Sequence, residues 1–192
     1  DDMAFLSAVD LFILEGQRHG TALGEWLDLV EIPQKSRDLG DSLFRCCRHA
    51  IPNYTAWASV VVMVESLAEI YYAAVRRISP CPRLEVECTR ILADEARHIQ
   101  FQCEHLALAR RRVPVVLRWM ISGLELVLYG VVCSTVWMAH GELLRASGMT
   151  VRGFASEAWA KFSFMQRLMN PKNYAFPEPH MRPMVWPIRV RD

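Results

Sequence analysis

Five side chains in this sequence have the types and spacing to hold metal ions. Glu95 and His98 lie three apart in "ILADEARHIQF" (91–101). On a helix such a pair shares one face about a turn apart, so a carboxylate and an imidazole can reach one ion. Their neighbours Ile91, Leu92, Ile99 and Gln102 turn that stripe inward. A Glu and a His in a core are costly unless paired or metal-bound. Taken alone, Glu-x-x-His is a weak signal, because surface and capping pairs produce it often.

A second acid strengthens it. Glu65 lies in "SVVVMVESLAEIYYAAV" (59–75), an otherwise apolar helical run. The break "SPCP" (79–82) follows, where proline ends a helix and restricts the residue before it. Glu65 falls about 15 residues before the centre of that break, and the midpoint of Glu95 and His98 about 16 after it. In an antiparallel hairpin with about 1.5 Å rise per residue the two therefore sit level. Glu69, one turn on, is closer to the break and suits an outer supporting position. The third element is "ILEGQRHGTAL" (13–23), where Glu15 and His19 share a face at i,i+4. Leu11, Phe12 and Leu23 suggest that this face is also inward. Carboxylates mixed with imidazole, and no thiolate, suit iron or manganese better than structural zinc.

The elements that must position these groups read as helices almost throughout. Pro and Gly punctuate six stretches: residues 3–30, 37–49, 54–78, 84–112, 115–147 and 151–169, with Gly148 as a C-terminal stop. No strand-like alternation stands out. The expected architecture is all-α, an antiparallel helical bundle over residues 1–170 with one or two extra helices at its C-terminal end. An extended Pro-rich tail (171–192) is expected to pack on it. The run 113–139, "VPVVLRWMISGLELVLYGVVCSTVWMA", approaches transmembrane length but carries Arg118 and Glu125. A buried core helix is the reading preferred here over a membrane contact. Arg110, Arg111 and Arg112 read as a solvated helix end that complements the dipole, and His49 and His105 as surface residues. Glu125 reads as hydrogen-bonded in the core, and Trp119, Trp137 and Trp159 as packing.

Bulk properties narrow the function. The 192 residues suit one domain, and 22 Lys+Arg against 21 Asp+Glu give no electrostatic case for nucleic acid. Six cysteines at irregular spacing, two of them adjacent, point to reduced thiols and a cytoplasmic protein. No signal-peptide pattern opens the chain.

"DEARH" (94–98) and "EGQRHG" (15–20), with Glu65 between them, resemble the ferritin-like diiron carboxylate superfamily. That group includes acyl carrier protein desaturases, ribonucleotide reductase small subunits and arylamine N-oxygenases. "LEGQRHGTALGEWLDL" looks like the desaturase-type stretch in which Glu-Glu-x-Arg-His-Gly opens a bundle helix. The resemblance covers residues 8–110 and implies a dinuclear iron centre, with manganese as an alternative, that activates O2. Glu95 and His98 would serve one ion and His19 the other, while Glu65 would bridge or cap. Asp94, Arg97 and Arg18 would support the histidines. It further implies a small organic substrate, acyl-like or aromatic, in an apolar pocket, an electron donor, and a homodimer as a candidate assembly.

Two departures mark the second ion. Gly16 stands where that pattern has a ligand Glu, and Glu15 is the nearest substitute, about 100° round the helix. The pattern also starts with a Glu on a preceding helix, for which these residues leave no room. Three functions follow: an O2-activating oxidoreductase, a metal-poor bundle acting as a binding module, or iron storage, which the later helices and the tail fit poorly.

Overall fold

The computed structural model describes residues 3–33, 39–51 and 53–174. Six α-helices run in order: α1 Met3–Leu29, α2 Leu39–Ala50, α3 Tyr54–Ile78, α4 Pro82–Arg110, α5 Val115–Ala146 and α6 Val151–Leu168. A 3-10 turn, Pro171–Asn173, follows. Among the described residues there is no extended sheet, so the all-α expectation holds.

The ends are set by local chemistry. Asn53 caps α3 by accepting from the Ala56 amide at 3.0 Å, which satisfies one of the four orphan donors of a first turn. Pro82 opens α4 in the first turn, where its missing N–H costs nothing. Gly148, at φ 84°, ends α5 in the left-handed region. Its amide and that of Met149 return to Arg145 and Leu144 carbonyls, the wrap that glycine permits.

The core lies between α3, α4, α5 and α6. Val62, Met63, Leu67 and Ile70 of α3 meet Ile99, Cys103 and Leu106 of α4, Tyr129 and Leu144 of α5, and Phe154, Phe162 and Met165 of α6. The α3–α4 hairpin is the most extensive pairing. Helices α5 and α6 are thus half of the core rather than additions to it. Helices α1 and α2 are peripheral: α1 lies chiefly along α4 and α2 along α5. Helix α1 turns Phe12, Glu15, His19, Leu23 and Trp26 inward, a 3–4 spacing that forms one stripe.

Three expectations change. The run 113–139 is not a buried core helix. Only Glu125, Tyr129, Gly141 and Leu144 of α5 are buried, while Val116, Trp119, Met120, Leu124, Val127, Val131 and Met138 are exposed. An apolar helix needs only one face for a core, and although α2 also packs on α5, these residues stay exposed. By length and composition alone α3 and α5 could each cross a membrane, with 50% and 11% of their apolar windows buried in the protein. The second change is Arg110. It is buried and makes a two-oxygen ion pair with Glu125 at 2.5 Å, and Gln166 of α6 donates to the same carboxylate. Arg111 and Arg112 are exposed, as a solvated helix end requires. Third, His105 is half-buried, stacked on Phe5 and edge-on to Tyr54. The tail begins with the 3-10 turn and a buried Tyr174. Its remainder, 175–192, lies outside the described residues.

Candidate metal centre

The α3–α4 hairpin brings its three candidate ligands together. One ligand atom each from Glu65, Glu95 and His98 lie within 4.8 Å of one another. The hairpin register accounts for this: short Ser79–Cys81 connection, equal heights, and three side chains on facing stripes. Glu95 and His98 are 8% and 6% exposed.

Helix α1 adds His19 from the other side, 6% exposed. Glu95 then stands between two imidazoles. Its Oε1 lies 3.6 Å from His19 Nδ1 and its Oε2 3.7 Å from His98 Nδ1. These separations are too long for hydrogen bonds. Nitrogen and oxygen donors sit about 2.0–2.2 Å from a first-row ion, so two donors on one ion lie up to about 4 Å apart. Each gap therefore has the span of a metal bridge. Moreover, Glu95 Oε2 is buried and has no hydrogen-bond partner, which a folded protein seldom leaves so.

The far nitrogen of each imidazole is backed by a carboxylate. His19 Nε2 pairs with Asp94 Oδ2 at 3.0 Å and His98 Nε2 with Glu15 Oε2 at 2.8 Å. A carboxylate on the far N–H fixes the ring and leaves Nδ1 a lone pair for an ion. Glu15 is thus seated behind His98 rather than beside Glu95. Asp94 also accepts from Arg18 and Arg97, and Arg97 lies 3.7 Å from Glu15. Phe12 packs edge-on against His98, with ring centroids 4.6 Å apart. Glu69 turns away to pair with Lys161 of α6. Gly16 is on the exposed side of α1, and a Cβ there would meet nothing within 4 Å.

Sequence reasoning did not assign Gln102 a role. Its Nε2 donates to Glu65 Oε2 at 2.5 Å. The signal was its place one turn after His98 on the same inward stripe.

The electrostatics follow from burial and these pairs. Burial, with Glu95 nearby, pushes the Glu65 carboxyl up to about 9, against the bond from Gln102. At pH 7 removing its proton costs about 3 kcal/mol at 1.36 kcal/mol per pH unit, and a bound cation would have to offset that. Burial also opposes charge on Glu95, but the two histidines win and hold it below the ordinary carboxylate value. Asp94 is likewise low, because His19, Arg18 and Arg97 outweigh its burial. His19 is raised by Glu95, then Asp94. His98 is raised because Glu95 and Glu15 together overcome its burial.

Comparison with known proteins leaves the argument with this geometry: no protein-family model, curated protein or solved structure matches the chain.

Proposed function

We propose that this chain is a non-haem metal-dependent oxidoreductase, with two iron ions, or iron and manganese, in a ferritin-like helical arrangement. One observation carries the reading. Each oxygen of buried Glu95 faces the Nδ1 of a different histidine at 3.6 and 3.7 Å, and one of those oxygens has no other partner. A carboxylate so placed suits a bridge between two ions. His19 would hold one ion and His98 the other, with Glu65 closing the set from α3. Two carboxylates and two imidazoles without a thiolate suit iron or manganese.

When bound, such a centre supplies the reduction of O2 that drives oxidation of a small organic substrate. The chain's own residues do the rest. Asp94 and Glu15 keep both imidazoles oriented, and Arg18 and Arg97 help hold Asp94 ionised. Gln102 keeps Glu65 aimed across the hairpin. Phe12 shields His98 from water on the α1 side. Glu65, whose carboxyl burial pushes up to about 9, would have to release its proton to join the ligand set.

A second reading has its own support. The polar groups around the site already satisfy one another: Asp94 with two arginines, Glu15 with His98 and Glu65 with Gln102. That compensation suits a metal-poor binding module. Metal analysis of protein from iron-replete cells separates the two. Two ions per chain, lost in Glu95→Ala, and O2 consumption by the Fe(II)-loaded protein are expected. A metal-free wild type that stays metal-free after anaerobic Fe(II) or Mn(II) addition overturns the enzyme reading.

A further inference from the structure

A second functional feature lies at the other end of α4. Arg110 is 12 residues after His98, about 18 Å along the helix, so the two sites do not share residues. Here α4, the start of α5, the end of α6 and the 3-10 turn surround an open cleft of about 460 Å³. Its walls include Arg110, Arg118, Ser122, Gln166, Lys172 and Trp119. Among the described residues lining it there is no carboxylate.

The charge is positive and incompletely used. Arg110 is neutralised by Glu125. Arg118 has a buried Nε without a hydrogen-bond partner, and Lys172 adds a second cation. The start of α5 points the same way. Val115 lines the cleft, the first turn of this 32-residue helix holds no acid, and its Pro114 cap offers no side-chain acceptor. The free amides and the positive helix end there favour an anion. Ser122 is already committed, donating to Gln166 Oε1 at 3.0 Å. Gln166 in turn fixes Glu125. The polar wall is thus held in place before any ligand arrives, which lowers the cost of binding.

The other wall is apolar and continues out of the cleft. Trp119 is 78% exposed, and Met120, Leu124, Val127 and Val131 follow it along the exposed side of α5. From Trp119 to Val131 the strip runs about 18 Å at 1.5 Å per residue. A cationic pocket opening onto an apolar strip matches a molecule with an anionic head and a hydrocarbon tail.

We propose that this cleft binds an anionic amphiphile, with its carboxylate or phosphate on Arg118, Lys172 and the α5 amides and its chain along Trp119 to Val131. Isothermal titration calorimetry on the full chain tests it, with dodecanoate, the uncharged dodecanol, and vesicles of phosphatidylcholine with or without phosphatidylglycerol. Dodecanoate binding, with dodecanol at least about tenfold weaker, is expected, since a charge-assisted bond is worth that factor. Arg118→Gln and Lys172→Gln, each checked for unchanged helicity by circular dichroism, should weaken it by a similar factor. Binding to vesicles that requires phosphatidylglycerol and Arg118 assigns the head group to a bilayer; soluble dodecanoate binding assigns it to a free acid. Equal affinity for dodecanol, or full affinity in both variants, overturns the proposal. Either result leaves the metal reading untouched.

Discussion

Glu95 and Glu65 sit a few ångströms apart with opposite tendencies, and that contrast yields the sharpest tests. Glu95 is held ionised by two imidazoles, whereas Glu65 keeps its proton to about 9. In the metal-free chain the folded state retains a proton on Glu65 that the unfolded chain releases above its ordinary 4.5. The stability tied to that proton is complete below about pH 4.5 and is lost as pH climbs through about 9. Denaturant melts of metal-free protein should show this decline, and Glu65→Gln should flatten it. Metal uptake must expel the same proton, so apparent affinity should rise about tenfold per pH unit between pH 7 and 9. A pH-independent affinity would remove Glu65 from the ligand set. Asp94→Asn leaves every inward donor in place yet loosens His19, and should weaken metal binding about 10- to 100-fold in a competitive chelator titration. Gly16→Ala bears on the earlier stretch. Its Cβ meets nothing within 4 Å, so helix propensity alone acts. A gain of about 1 kcal/mol in urea unfolding is expected, with metal affinity unchanged. The glycine that interrupts the sequence pattern lies on the solvent side, and the carboxylate that matters there is Glu15.

At the scale of elements, the α3–α4 hairpin was legible because it needs only local information. "SPCP" fixes the turn, 1.5 Å per residue fixes the height, and 3.6-residue periodicity fixes the faces. What the sequence could not convey was which elements lie beside which. Helix α5 is apolar all round, so composition could not tell its buried side from its exposed one. The arginine triplet looked like a solvated end because the partner of Arg110, Glu125, arrives only after the chain turns into α5. Helix α1 is the reverse case. Its inward face with Glu15 and His19 was readable, but its slight attachment, chiefly along α4, was not. It leaves Leu6, Leu11, Ile13 and Leu14 exposed, and elements with few buried contacts open most readily. An ion shared between His19 and the hairpin would tie α1 down. Amide hydrogen exchange should therefore show α1 exchanging faster than α3 and α4 without metal, and slowing selectively when anaerobic Fe(II) or Mn(II) is added. Uniform protection, or none, would mean that α1 supplies no ligand.

For the whole molecule, one core lies beside both proposed sites, and the proposed metal centre is placed where it can report on stability. The α3–α6 core is closed without α1, so the chain should fold metal-free and gain stability by linkage alone. A ligand at about 100 times its dissociation constant adds about 2.7 kcal/mol. For a chain of this size each kcal/mol raises the melting temperature by about 2–4 °C. Saturation to that level should therefore raise Tm by roughly 5–10 °C in scanning calorimetry at pH 7.5. Glu95→Gln should abolish the increment and also lower the metal-free Tm, because two imidazoles hold the Glu95 carboxylate ionised in the folded protein. The metal response discriminates: a carboxylate kept only for structure would lower the metal-free Tm when replaced and leave the metal increment intact. A Glu95→Gln variant with a lower metal-free Tm and an unchanged metal response would assign Glu95 to the core and not to the centre.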